Sequence, residues 1–228
     1  MSKLFDLDSK FMQKATKFGD LVFLNILTVI CCIPVITIGP AFTAMHYTLL
    51  KLYRDEEGGL FKTYFHSFFG NLRQGILLTL VYLVYFGILV LNYQLGRRTE
   101  NVMRIVLYVL PFFALVGGMS LCWLFPMLSR YSNTIIGTIK TTLAATLAHP
   151  FKSLMMTALM IAPFLILLLT NWGVPILMTI GLSLCGYLRV MLYDPTFKML
   201  ERVRDPEEDE EDSEEDTEED FEEDSEEE

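Results

Sequence analysis

Three residue patterns in this sequence could support chemistry in or beside an apolar phase. The first is Pro34-Val35-Ile36-Thr37-Ile38-Gly39-Pro40. A proline inside a helix removes a backbone donor and clashes with the preceding turn, so this stretch predicts a broken helix. A break of that kind exposes carbonyls and amides that can hold an ion or a small solute. Thr37 and Thr43 could add hydroxyl ligands. Pro34, Thr37, Gly39, Pro40 and Thr43 therefore form a candidate ligand or helix-break site, although a plain tight connection between short helices uses the same residue types.

The second pattern is a candidate polar patch of Asp20, Asn25 and His46, set in or at the edge of apolar sequence. Asp20 could contact a substrate or ion, or it could cap a helix or pair with Lys17. His46 could relay protons, or it could make an interhelical hydrogen bond. No carboxylate lies in the same uncharged run to assist a relay. The third pattern, Asp55-Glu56-Glu57-Gly58, lacks the alternating ligands of a calcium loop. It reads as a solvated turn before a helix that begins at Leu60.

Other chemistries have no matching pattern. The three histidines, His46, His66 and His149, show no metal-ligand spacing. Cys31, Cys32, Cys122 and Cys185 lie in apolar runs without a Cys-x-x-Cys pair and read as small hydrophobes. There is no phosphate-cradling glycine loop, no nucleophile elbow and no convergent pair of carboxylates. The expectation is no enzyme activity, no catalytic residue, no cofactor, no metal and no nucleic-acid partner.

The elements that must position these residues follow from charge. Of the 28 acidic residues, 19 fall in residues 205–228, which hold no base; the preceding 204 residues carry all 18 bases and a net charge of +9. Within that body, residues 21–50, 74–96, 105–129 and 153–188 contain no Asp, Glu, Lys or Arg. A bilayer core of about 30 Å needs about 20 helical residues. Runs 74–96 and 105–129 fit one crossing each. Run 153–188 is too long, and Thr170-Asn171-Trp172-Gly173-Val174-Pro175 supplies a turn, giving helices over about 153–170 and 175–193. Run 21–50 divides at the proline break.

Basic residues choose between a first run that crosses once and one that crosses twice. With six crossings, Lys3, Lys10, Lys14, Lys17, Lys51, Arg54, Lys62, Arg73, Arg130, Lys140, Lys152, Arg189, Lys198, Arg202 and Arg204 share one side, and Arg97, Arg98 and Arg104 take the other. With one crossing in the first run the division is 7 against 11. Lysine and arginine bias sets orientation, so six crossings with both termini cytoplasmic are expected. Residues 3–18 alternate Leu4, Leu7, Phe11, Ala15 and Phe18 with four lysines at helical spacing, the pattern of an interfacial helix. Segments 60–72 and 131–149 are read in the same way, each ending at a turn before a span.

The blocks Gly19-Asp20-Leu21-Val22-Phe23-Leu24-Asn25 and Cys32-Ile33-Pro34-Val35-Ile36-Thr37-Ile38-Gly39-Pro40-Ala41 resemble the start of the YesL-like family of bacterial integral membrane proteins. Tyr47 to Lys51, Arg54 to Gly58, Phe125-Pro126, Arg130-Tyr131 and Asn133 are similar too. The likeness covers residues 4–193. It implies a bacterial cytoplasmic-membrane location and a link to carbohydrate uptake, and it brings no catalytic residue with it.

The expected architecture is all-α: a polytopic transmembrane bundle of about six crossings, the first pair short and Pro-broken, with interfacial amphipathic helices. Its parts are a cytoplasmic interfacial helix (1–19), a transmembrane domain (20–193), a basic juxtamembrane segment (194–204) and a disordered acidic tail (205–228). The lipid bilayer is one expected partner and a carbohydrate transport system is another, for an accessory or regulatory component; a small-solute transporter is the alternative. The oligomeric state leaves no sign in the sequence. The tail cannot build a core and repels itself. A chain ending at residue 204 is therefore expected to insert and fold as the full chain does, checked by membrane fractionation and thermal unfolding in detergent.

Overall fold

A computed structural model describes residues 10–56, 58–96, 103–131, 134–169 and 172–204, with side chains from 15–201 within those ranges except 103–106. Lys3, Lys10, Lys14, Glu57, Arg97, Arg98, Arg104, Asn133 and the acidic tail lie outside the described side chains. The start of the expected interfacial helix and the expected disorder of residues 205–228 therefore fall outside the described residues. The chain divides into two units, Met1–Val190 and Met191–Glu228.

The described residues are helical and contain no strand. Helix α1 spans Lys10–Cys31, a 3-10 turn covers Val35–Thr37, and α2 spans Ile38–Tyr53. Helices α3 (Leu60–Gly70) and α4 (Leu72–Gly96) follow. Next come α5 (Met103–Arg130), α6 (Ile135–Ala148) and α7 (Pro150–Leu169). The last stretch begins as a single turn, α8 (Gly173–Ile176), widens to a π-turn at Leu177–Gly181, and continues as α9 (Leu182–Arg204).

Among the described residues, four helices are long and apolar enough to cross a membrane: Leu72–Gly96, Leu107–Arg130, Pro150–Leu169 and Gly173–Glu201. Their outer faces stay apolar, with Leu83, Phe112 and Leu168 exposed by 62%, 62% and 81%. Helices that are apolar all round and exposed need lipid rather than water as their surroundings. Helices α1 and α2 differ. Lys17 near the start of α1 pairs with Asp55 just past α2 at 2.6 Å, so the two fold back on each other as a hairpin.

Two prolines are placed where their missing N–H costs least. Pro150 opens α7 and Pro40 lies in the first turn of α2, where helix N–H groups have no intrahelical partner. Pro111, Pro126 and Pro163 lie within long helices, as membrane helices tolerate. Helix α1 passes through Gly19 without interruption.

One core is built by Leu78, Tyr82, Leu124, Phe125 and Leu128, with Phe42 stacked on Phe125 at 5.6 Å. Polar tips inside it are paired: the Tyr82 hydroxyl meets Ser120 Oγ at 2.6 Å. Trp123 Nε1 donates to Ser153 Oγ at 2.8 Å, joining α5 to α7. In the second unit, the Tyr193 and Phe197 rings lie 4.9 Å apart and Lys198 reaches Asp194 at 3.6 Å.

Helix α4 meets the start of α2 through two glycines. A Cβ on Gly75 would lie 2.9 Å from Pro40 N and Cδ, and one on Gly39 would overlap Thr79 Oγ1. Gly87, on the same helix, has nothing within 4 Å of such a Cβ. Gly75→Ala is expected to destabilise the protein by about 1–3 kcal/mol through overpacking. Gly87→Ala should be neutral or stabilising by up to about 1 kcal/mol through helix propensity. Unfolding both variants in the same detergent checks the contrast.

Candidate functional site

The helix break is built from local backbone chemistry. Helix α1 ends at Cys31, and Cys32 N–H still reaches the Thr28 carbonyl at 2.9 Å. Thr37 then bonds back: its Oγ1 donates to the carbonyls of Cys31 and Pro34, each at 2.7 Å. Thr43 Oγ1 donates to the Gly39 carbonyl at 2.9 Å. Both hydroxyl protons therefore go to the chain's own carbonyls, which leaves no hydroxyl donor for a ligand. The five candidate residues do not form one surface. Pro34 is exposed and Thr37 half-buried, whereas Gly39, Pro40 and Thr43 are buried.

Asp20, Asn25 and His46 go to three different places. Asn25 is fully buried against the π-turn of the last helix. Its Nδ2 donates to the carbonyls of Leu177 and Met178 at 2.9 and 2.7 Å. Its Oδ1 accepts from the backbone N–H groups of Leu182 and Ser183 at 2.9 and 3.0 Å. A widened turn distorts the regular ladder of main-chain bonds, and the carboxamide bonds to both sides of it. Two donors and two acceptor sites are all that such a group has, so Asn25 has none left for a solute.

His46 is fully buried on α2, and Arg189 of α9 is 2% exposed. The Arg189 guanidinium lies close enough to act electrostatically on His46, Cys122 and Cys185 and to bond the Cys122 thiol. Cys122 also meets Thr157 Oγ1 of α7 at 3.5 Å. Groups of α2 and α5 thus adjoin one buried cation of α9, and α7 reaches the Cys122 thiol behind it. The charge count above places Arg189 with the surface bases; the structure buries it. A signal was present in the sequence. Ser183, Gly186 and Arg189 recur every three residues and all are buried, which marks one face of a helix. A Cβ on Gly186 would lie 2.7 Å from Leu49 Cδ1, so the small residue lets α2 come close enough for His46 to neighbour Arg189.

Asp20 lies elsewhere, in a hollow of about 170 Å³ that Thr48, Lys51, Glu56 and Thr63 also line. The turn after α2 shapes this hollow. Asp55 adopts a left-handed conformation with φ 54°, and Glu56 N–H bonds the Lys51 carbonyl at 3.0 Å. That pair of features is the usual helix-ending motif, with an aspartate in place of glycine. Lys51 Nζ reaches Glu56 at 3.3 Å. Lys17 donates to Asp55, and this bond holds its ammonium above the usual lysine pKa. The acidic turn thus serves two ion pairs. Among the described residues no group of three His, Cys, Asp or Glu could hold a metal ion.

Residues 21–93 match a family model described as a protein of unknown function, DUF624. That stretch runs from α1 through the break, α2 and α3 into α4. No curated protein and no solved structure matches the chain.

Asn25 falls inside the matched stretch, and its partners fall outside it. Asn25→Ala is expected to leave buried main-chain groups unbonded and to cost about 2–3 kcal/mol. Asn25→Asp should cost at least as much, because a carboxylate would face two carbonyls. Thermal unfolding of both variants in detergent checks the order; an unchanged midpoint for Asn25→Ala would remove the structural role.

Proposed function

We propose that the protein is a contact-acting accessory component of the bacterial cytoplasmic membrane, associated with carbohydrate uptake, and not an enzyme. The observation that carries this reading is how the polar groups of the apolar helices are used. Asn25 is saturated by the last helix. Thr28, Thr37, Thr43, Thr48 and Thr79 all bond main-chain carbonyls. The threonine bonds stay within a helix or turn and use up the hydroxyl protons there, whereas Asn25 ties the first helix to the last, as polar side chains in membranes commonly do. The four apolar helices support a membrane location. The association with carbohydrate uptake rests on the resemblance to the YesL-like family, and the partner it suggests is a carbohydrate transport system.

The arrangement we favour has six crossings with both termini cytoplasmic. The α1–α2 hairpin supports it by adding a short pair to the four long helices. The distribution of lysine and arginine supports the orientation. The acidic residues 205–228 would then lie on the cytoplasmic side.

Transport by the protein itself is the second reading. The interruptions at residues 32–37 and 177–181 favour it, because transporters bind solutes at broken helices. Crosslinking in native membranes followed by purification should recover a carbohydrate-transporter subunit, and deletion should lower sugar uptake. Normal uptake with no such subunit recovered would overturn the accessory role. Solute movement into liposomes by the purified protein alone would establish the second reading in its place.

A further inference from the structure

The hollow that holds Asp20 has a neighbour. A second space, of about 280 Å³, is lined by Tyr47, Lys51, Lys62, Thr63 and His66. Both spaces include Lys51, Gly58 and Thr63, so they adjoin between α2 and α3. The cleft they make is polarised. Asp20 and Glu56 line one end, Lys62 and His66 the other, and Lys51 stands at the join, bonded to Glu56 at 3.3 Å. Such a cleft is complementary to a ligand with opposite charges a few bonds apart.

An apolar row runs beside it. Phe61, Phe65 and Phe69 recur every four residues on α3, with rings 4.6 and 5.8 Å apart. Phe61 is 59% exposed and Phe69 65%. Lys62 and His66 each follow one of these rings by a single residue, so the basic row lies next to the aromatic row on the helix surface. In a membrane protein, aromatic side chains flanked by bases sit at the level of lipid headgroups.

We propose that this cleft binds a phospholipid whose headgroup carries both a phosphate and a primary ammonium, as phosphatidylethanolamine does. The phosphate faces Lys62 and His66, the ammonium faces Asp20 and Glu56, and the acyl chain lies along Phe61, Phe65 and Phe69. The acidic end offers carboxylates together with the hydroxyls of Thr48 and Thr63, and no ring. Those are acceptors for N–H donors, whereas a quaternary amine is recognised by aromatic faces. The aromatic row assigns the ligand to lipid rather than to a soluble zwitterion, which would leave it uncovered. The inference depends on the membrane location and goes beyond the contact role; it stands whether or not a transporter subunit is found.

The test is native mass spectrometry of the full chain in nonionic detergent with equal amounts of dioleoyl phosphatidylethanolamine, phosphatidylcholine and phosphatidylglycerol. The ethanolamine lipid should be retained about five-fold or more over each of the others, the ratio that about 1 kcal/mol gives. Lys62→Ala with His66→Ala should lower retention of the ethanolamine and glycerol lipids alike. Both side chains are exposed, so this variant should keep the wild-type unfolding midpoint. Asp20→Asn with Glu56→Gln should abolish the preference for the ethanolamine lipid over the glycerol lipid. Equal retention of the three lipids would overturn the proposal. So would unchanged retention in the Lys62/His66 variant, or displacement of the lipid by free phosphoethanolamine at matching concentration.

Discussion

Where a helix departs from regular geometry among apolar neighbours, every main-chain donor and acceptor still needs a partner, and lipid supplies none. At residues 177–181 the last helix widens, and Asn25 of the first described helix bonds to both sides of the turn. This side chain joins elements more than 150 residues apart in sequence. Other features are arranged around that junction. With α1 fixed against the last helix, α2 folds back from the break and meets the buried face of α9 at Gly186. There the buried Arg189 has His46 and Cys122 as neighbours.

The helix break works in a different way. Its bonds are short-range: Thr37 to Cys31 and Pro34, Thr43 to Gly39. It is bonded largely within itself, and it also needs room for Gly39 and Pro40 against Gly75. Asn25 binds far away and uses up its hydrogen-bonding capacity, while the break binds within itself and leaves hydroxyl lone pairs. Asp20, Lys51, Glu56, Lys62 and His66 gather instead around α2 and α3, where charge is less costly to keep near water, while Arg189 stays buried among the helices.

Much of the architecture was legible because its signals are local. Gly70-Asn71 ends α3, His149-Pro150 divides α6 from α7, and α7 ends at Leu169 with the next helix starting at Gly173, close to the expected turn. Each depends on what one residue type does to its own backbone. Gly19 acts differently: glycine inside a helix costs only about 1 kcal/mol, and α1 absorbs it. The polar residues were found one by one, but their destinations were not. Asp20, Asn25 and His46 look like one patch in the sequence, and the packing of α1, α2, α3 and α9 sends them apart. Arg189 was misplaced because the count of bases assigns any base after an uncharged run to the next loop, although the helix expected over 175–193 already contains it. The adjoining hollows at α2 and α3 could not be read at all, since they exist only once α3 lies along α2.

The reach of Asn25 has a consequence for biosynthesis. Ser183 is 158 residues downstream. At roughly 5–20 residues per second, the ribosome delivers it on the order of ten to thirty seconds after Asn25. During that interval the carboxamide is without the main-chain groups that later saturate it. Until the final helix arrives, the first hairpin must either sit shallowly enough to keep Asn25 hydrated or lean on another polar surface in the insertion machinery. The chain's opening segment is thus the last to reach its final surroundings.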